Sequence, residues 1–198
     1  MVSSFVNLFV IFSMSVRLCG EKTKNMLKSE NILLRALEPS DVDLLFKWEN
    51  DTSIWHVSNT LTPFSKHVLQ QYVDNSHLDL YTTKQLRLII DDHQNKKSFG
   101  CIDLFDFEPY HKRAGIGVLI SNAEDRNKGF AKEALNLLIN YCFSKLNLHQ
   151  LYCNITVDNE ASLKLFTQFG FEIIGSKKQW IWDGDDWKDE YLLQLICK

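Results

Sequence analysis

The clearest chemical signal lies in Asp125-Arg126-Asn127-Lys128-Gly129-Phe130-Ala131. This stretch sits between an alternating apolar run, Ala114 to Ile120, and a long amphipathic segment, Phe130 to Leu146. That order reads as strand, glycine turn, helix. The first turn of a helix presents backbone N–H groups without intrahelical partners, and the macrodipole adds partial positive charge there. A phosphate satisfies both, so such a turn suits an anion. Gly129 lets a ligand approach the backbone, and Arg126 and Lys128 add positive charge. The same residues also read as a plain strand-to-helix turn with solvated charges, and spacing alone does not choose between the two.

The elements that must position this turn follow from periodicity. Asn31 to Leu37 reads as a strand. Leu37-Glu38-Pro39-Ser40-Asp41 then opens a helix, with Ser40 or Asp41 near its cap and Val42, Leu44, Leu45, Phe46 and Trp48 on its apolar face. Asn50 to Pro63 is polar and irregular, and a second helix runs from Ser65 to about Asn75. Lys84 to Asp91, Ser98 to Phe107 and Arg113 to Ile120 are strands, the first two joined by a turn at Asp92 to Lys96. Ala131, Ala134, Leu135, Leu138, Ile139, Cys142 and Phe143 recur at helical steps. Leu148 to Val157 is a strand. Asp158-Asn159 caps a short helix with Leu163, Phe166 and Phe169 inward and Gly170 at its end. Phe171 to Trp182 and Trp187 to Cys197 flank the turn Asp183-Gly184-Asp185-Asp186. The order β-α-α-β-β-β-α-β-α-β-β predicts an α/β (α+β) fold, a mixed and mostly antiparallel central sheet flanked by helices.

Composition narrows the function classes. A chain of 198 residues, 45% apolar and 24% charged, is of ordinary globular type. A formal charge of −3 carries no general nucleic-acid footprint. Cys19, Cys101, Cys142, Cys153 and Cys197 form no C-x-x-C pair, so no metal site is expected. Four of them lie in apolar runs as small hydrophobes, which favours a reducing cytosol. Residues 1–25 differ from the rest. Phe5 to Val16 is apolar, but no Lys or Arg precedes it as a signal peptide requires, and it is short for a membrane span. These residues read as an upstream leader, with a single domain over 26–198 starting at Met26. The alternative is a signal or membrane anchor.

Arg126-x-x-Gly129-x-Ala131 resembles the coenzyme A pyrophosphate loop, Q/R-x-x-G-x-G/A, of the GNAT superfamily of N-acetyltransferases. A second stretch, Val157-Asp158-Asn159-Glu160-Ala161-Ser162 followed by Leu165-Phe166-Thr167-Gln168-Phe169-Gly170-Phe171, is similar to the family's N-x-x-A/S-x-x-x-Y-x-x-x-G-F signature. The resemblance spans about Asn31 to Ile196. It is strongest to the bacterial branch of spermidine/spermine and ribosomal-protein N-terminal acetyltransferases, through Leu34 to Asp41 and Gly100 to Asp106. It implies the GNAT fold, acetyl-coenzyme A as cosubstrate, a polyamine, small-amine or peptide N-terminal acceptor, and a cytoplasmic enzyme without membrane or nucleic-acid partners that could form a homo-oligomer. Backbone amides of Arg126, Asn127, Lys128, Gly129, Phe130 and Ala131 would hold the pyrophosphate. Leu119, Ile120 and Ser121 would pair with the pantetheine arm. Asn159 would bond the same arm or cap its helix.

Amine acetylation needs a neutral nucleophile, and an alkylamine has a pKa of roughly 10, so a base must remove a proton. The resemblance makes Asp103 and Asp106 the base candidates, acting through water; the alternative is a pair of solvated strand carboxylates. Three residues apart, they face opposite sides of an unbulged strand and share a cleft only if a bulge intervenes. One departure stands out. The family's general acid is a tyrosine, and this chain has Phe166 at that position. Water could protonate the thiolate, or Tyr152, Cys153 or Tyr191 could substitute. The departure also leaves open a non-catalytic acyl-coenzyme A sensor, or a chain that keeps only the fold. Ser58 to Pro63 contains no acid, so the allosteric polyamine site of the polyamine enzymes is not supported. Trp55, Trp180, Trp182 and Trp187 read as cleft walls or as core and sheet-face residues.

Overall fold

Val42, Leu45 and Trp48, and further on Ala134, Leu135, Leu138, Ile139 and Cys142, recur at helical spacing and are all buried. Each stripe therefore lies flat on a sheet. The computed structural model describes residues 26–58, 60–94 and 97–198. The expected leader, 1–25, falls outside the described residues. The strands are β1 (Ile32–Arg35), β2 (Leu86–Asp92), β3 (Ser98–Glu108), β4 (Arg113–Ile120), β5 (Gln150–Thr156), β6 (Glu172–Trp182) and β7 (Trp187–Ile196). The helices are α1 (Val42–Glu49), α2 (Trp55–Ser58), α3 (Lys66–Asp74), α4 (Leu80–Thr83), α5 (Phe130–Ser144) and α6 (Glu160–Gln168).

All the strands form one sheet, in the order β1-β2-β3-β4-β5-β7-β6. Every neighbouring pair is antiparallel except β4 and β5. A parallel pair needs a long crossover, and α5 supplies it. The sheet is thus mixed and mostly antiparallel, as expected. On one face, Ile89 and Cys101 pack with Val42, Leu45 and Trp48 of α1 and Leu69 and Val73 of α3. The larger core joins α5 and Phe166 of α6 to Ile102, Leu104, Ile116, Leu151 and Ile155. Full burial of side chains such as Leu135 and Leu138 stabilises the fold by about 1.5–3 kcal/mol each.

Two short helices lie in stretches that carry no strong apolar period. Helix α2 follows a turn in which the Asp51 carboxylate accepts the Ser53 N–H. Helix α4 is capped by Asp79, which accepts the Tyr81 and Thr82 N–H groups, and is closed by Lys84 at φ +58°. Both are single turns beside a capping carboxylate, too short to show an apolar period, so periodicity does not reveal them. Strand ends fall within two residues of the expected limits, β2 and β3 running one residue beyond them to Asp92 and Glu108. Two bulges matter for the site. In β3 the register to β4 slips between Phe105 and Glu108, with Asp106 at φ +48°. In β6 the register to β7 slips between Lys177 and Ile181, with Gln179 at φ +48°.

Candidate active site

Strands β4 and β5 pair only at Arg113–Gly115 with Gln150–Tyr152. Beyond Gly115 they have no register to each other, and the split between them opens into a cleft of about 850 Å³. Ile116, Gly117 and Val118 line one side, and Cys153, Asn154, Ile155 and Thr156 the other. The β4 backbone facing this gap follows from its ladder with β3. Ser121 N–H donates to the Phe99 carbonyl at 2.9 Å. An antiparallel ladder alternates its partners, so Leu119 and Ser121 bond to β3. Ile116, Val118 and Ile120 turn their backbone groups towards β5. Of Leu119, Ile120 and Ser121, only Ile120 turns its backbone groups towards the split, an orientation it shares with Ile116 and Val118. The Ile120 carbonyl already accepts Arg126 Nε at 3.3 Å.

The turn after β4 has the form that an anion needs. Asn127 and Gly129 both have positive φ, +62° and +93°, and asparagine and glycine are the residues that adopt this region most readily. Helices α3, α4 and α6 each have a capping side chain at the N-terminus, from Ser65, Asp79 and Asn159. Helix α5 has Gly129 at its cap position and no capping side chain. Its first N–H groups therefore lack a side-chain acceptor. A Cβ built on Gly129 would meet nothing within 4 Å, so space is open over the turn. The loop beneath is tied down by the buried carboxylate of Asp125, which binds Lys97 at 2.6 Å and Lys128 at 3.4 Å. The hydrogen bond from Lys97, with those from Asn122 and Lys128, holds Asp125 below the usual carboxylate range. Lys128 is thus partly engaged inside the loop, and Arg126 is anchored to β4. Phe130 stacks on Phe99 with centroids 3.9 Å apart, and Ala131 packs on the core, which fixes the first turn of α5.

On the α1/α3 face of the sheet the cleft is lined by Glu49, Phe64, Arg87, Asp103 and Phe105. Arg87 grips Asp103 with two hydrogen bonds of 2.8 Å, bonds Glu49 as well, and lies against the Tyr72 ring. Burial works against the guanidinium charge, but the neighbouring carboxylates outweigh it and keep Arg87 protonated. Phe105 lies across the cleft floor. A Cβ on Gly115 would fall 2.2 Å from its ring, so glycine is what lets the aromatic cross β4.

Asp103 and Asp106 are not brought together. Asp103 lines the cleft. The bulge that could unite them is present, yet it delivers Asp106 to the Tyr152 hydroxyl at 2.8 Å, beside the end where β4 and β5 remain paired. Asp106 is exposed and does not line the cleft. Tyr152 donates its hydroxyl to Asp106 and does not line the cleft, and burial and the Asp106 carboxylate push that hydroxyl up to about 12. Cys153 does line the cleft, but burial pushes its thiol up to about 12. Phe166 is 3% exposed, packs edge-on to Phe171, and lines the cleft. Asn159 lines the cleft and caps α6 by accepting the Ser162 N–H at 3.1 Å.

Sequence reasoning missed Glu49, Arg87, Lys177 and Glu190. Arg87 had a signal, as the one charge in the apolar run Leu86 to Ile90. The rest depend on strand register. Among the described residues, no three His, Cys, Asp or Glu side chains are placed to hold a metal, and no helix is long and apolar enough to cross a membrane.

A mixed sheet split between two parallel strands, with an uncapped helix N-terminus after the first, defines an acyl-coenzyme A acyltransferase architecture. The match to known proteins makes this specific: residues 31–172 fit the acetyltransferase (GNAT) domain, and the chain belongs to that family as an N-acetyltransferase. It is 27% identical to the spermidine N(1)-acetyltransferase of Vibrio cholerae over 146 residues, which cover 72% of this chain and 80% of that protein. With the Escherichia coli spermidine N(1)-acetyltransferase it shares 26% identity, covering 76% and 77%. The Vibrio cholerae enzyme solved with coenzyme A and spermine superposes at a TM-score of 0.76 with 24% identity, covering 85% of this chain and 96% of that one. A structure of the same enzyme with manganese ions gives 0.69 and 26%, covering 84% and 92%.

Proposed function

We propose that this chain transfers the acetyl group of acetyl-coenzyme A directly to a primary amine, on a polyamine, a small amine or a peptide N-terminus. One observation carries the reading: the split between β4 and β5 adjoins the uncapped N-terminus of α5. Phosphates of the cosubstrate lie on the N–H groups of Gly129 to Ala131 and beside Arg126, as the open space over Gly129 supports. The pantetheine arm follows the backbone of Ile116, Val118 and Ile120 that faces the split. The amine enters from the α1/α3 face. Its nitrogen lone pair attacks the thioester carbonyl carbon, the C–S bond breaks, and the thiolate leaves. Asp103 takes the amine proton through water. The thiolate, with a pKa of about 8.5, needs only a proton from solvent. A cytoplasmic location belongs to the same reading, supported by the free thiols of Cys101, Cys142, Cys153 and Cys197. So does a homo-oligomer, supported by a dodecameric structure of the Vibrio cholerae enzyme. A single domain over 26–198 completes it.

The test is thiol release from acetyl-coenzyme A across a panel of primary amines, alongside calorimetry with coenzyme A. Amine-dependent release is the expected result. Tight coenzyme binding without turnover of any amine would favour the acyl-coenzyme A sensor, the reading that Phe166 keeps in play because it cannot donate a proton.

A further inference from the structure

The acceptor half of the cleft contains three carboxylates among the described residues, Glu49, Asp103 and Glu190, and two cations, Arg87 and Lys177. They form two separate groups. In the first, two carboxylates share one guanidinium, which leaves a net charge of −1. In the second, Lys177 and Glu190 cancel. The second group has the form of a complete ammonium site. Lys177 Nζ bonds Glu190 Oε2 at 2.5 Å and Asn154 Oδ1 at 2.9 Å, and it lies 5.1 Å from the centre of the Trp180 ring. An ammonium offers three N–H donors, and an aromatic face attracts the remaining charge. Glu190 is buried, so without a cation its carboxylate would be costly to hold.

The backbone builds this arrangement. Lys177 stands directly opposite Glu190 in the β6–β7 ladder. Immediately after it, β6 bulges. The bulge is fastened by Asp189, which accepts the Gln179 N–H at 2.9 Å and pairs with Lys178 at 2.6 Å. This sets Trp180 on the cleft wall above Lys177 rather than along the regular face of β6.

We infer that Lys177 occupies, from within the protein, the place that a second substrate ammonium would take, so that the acceptor is an amine carrying a single positive charge. The inference rests on the amine-acetyltransferase reading above and narrows its substrate class. An acceptor ammonium is drawn to the Glu49–Arg87–Asp103 group, the only net negative charge lining the cleft among the described residues. A polyamine would bring further ammonium groups to a wall where the one remaining carboxylate is already neutralised. An apolar or aromatic body fits that wall, against Trp180, Ile181 and Phe105.

The experiment compares kcat/KM for hexylamine, 1,6-diaminohexane and spermidine in the wild-type protein, Lys177→Met and Lys177→Arg. Wild type should favour the monoamine by about tenfold or more, the scale of one charged hydrogen bond. Lys177→Met exposes the Glu190, Asn154 and Trp180 site and should reverse the preference, with the KM for acetyl-coenzyme A unchanged. Lys177→Arg should keep the wild-type order. Wild-type preference for spermidine or the diamine overturns the inference but leaves the transferase reading intact. An unchanged ratio in folded Lys177→Met also overturns it. Turnover of none of the three amines overturns the inference, and the wider amine panel, peptide N-termini included, then decides the transferase reading. If Lys177→Met does not fold, the wild-type ratio and Lys177→Arg decide.

Discussion

Replacing Gly129 by alanine separates a binding role from a folding role. Gly129 sits at φ +93° and ψ −8°. A Cβ there touches no protein atom within 4 Å, so packing contributes no cost. What remains is the left-handed backbone, about 1–2 kcal/mol for an L side chain. For a chain of this size each kcal/mol lowers Tm by about 2–4 °C, so Gly129→Ala should melt about 2–8 °C lower. The methyl group, however, projects into the open space over the α5 N-terminus. If phosphates lie there, at least one charged hydrogen bond to a backbone N–H is lost. At about 1.5–3 kcal/mol each, that corresponds to about 10- to 100-fold weaker coenzyme A binding. Gly184 provides the control. Its φ is +107°, a Cβ there also meets nothing within 4 Å, and it lies in the β6–β7 turn. Gly184→Ala should lower Tm by a similar amount and leave coenzyme A affinity unchanged. Calorimetry and thermal melts on both variants are sufficient. Full affinity in Gly129→Ala, or an equal loss in both, would refute the phosphate site at α5.

Other outcomes follow from the same geometry. Asp103→Asn should lower kcat at least tenfold with little change in the KM for acetyl-coenzyme A, whereas Asp106→Asn, outside the cleft and bonded to Tyr152, should leave both near wild type; steady-state kinetics compare them, and equal losses would return Asp106 to the mechanism. Phe166→Tyr tests the position where the family has tyrosine. A hydroxyl reaching the cleft should raise kcat modestly, while one forced against Phe171 would cost about 1–3 kcal/mol as a buried unpaired group and lower Tm without a gain in rate. Asp41 gives the pH dependence. Burial pushes its carboxyl up, but hydrogen bonds from Arg35 and the Glu38 N–H outweigh burial, and its pKa lies below the usual value. A carboxylate depressed in the folded state stabilises fully above its unfolded pKa, about 3.9, and that contribution is lost as pH falls through the folded value. Melts from pH 7 downwards should therefore show Asp41→Asn less stable at neutral pH and flatter across the acid range, and parallel curves would refute the assignment.

The order of the main elements was legible because each has a strong local signal. Helix α5 keeps its apolar period for about four turns, and α3 and α6 announce their starts with Ser65 and Asn159 at the caps. The turn at Arg126 to Ala131 was legible for a different reason. Glycine and asparagine at left-handed positions, followed by an apolar helix, constrain the backbone whatever the fold around them. Short helices held by one capping carboxylate, as at Asp79, leave no period to detect.

The acceptor side of the cleft was not legible, and the cause lies in strand pairing. Asp103 faces Arg87 because β2 and β3 pair in one particular register. A slip of one residue would send Arg87 to the other face and leave Asp103 a free carboxylate. Glu49 joins them only because α1 ends over that edge of the sheet. The bulges act in the same way. The one in β3 takes Asp106 out of the cleft, although a bulge is the device that could have brought it in. The one in β6 sets Trp180 over Lys177. Local sequence states which groups can ionise; register decides which of them remain available to a substrate. Among the described residues, every carboxylate lining the cleft has a cation partner. An acidic residue in the cleft is therefore not yet a polyamine contact, and acceptor choice has to be read from the balance of charge across the folded cleft.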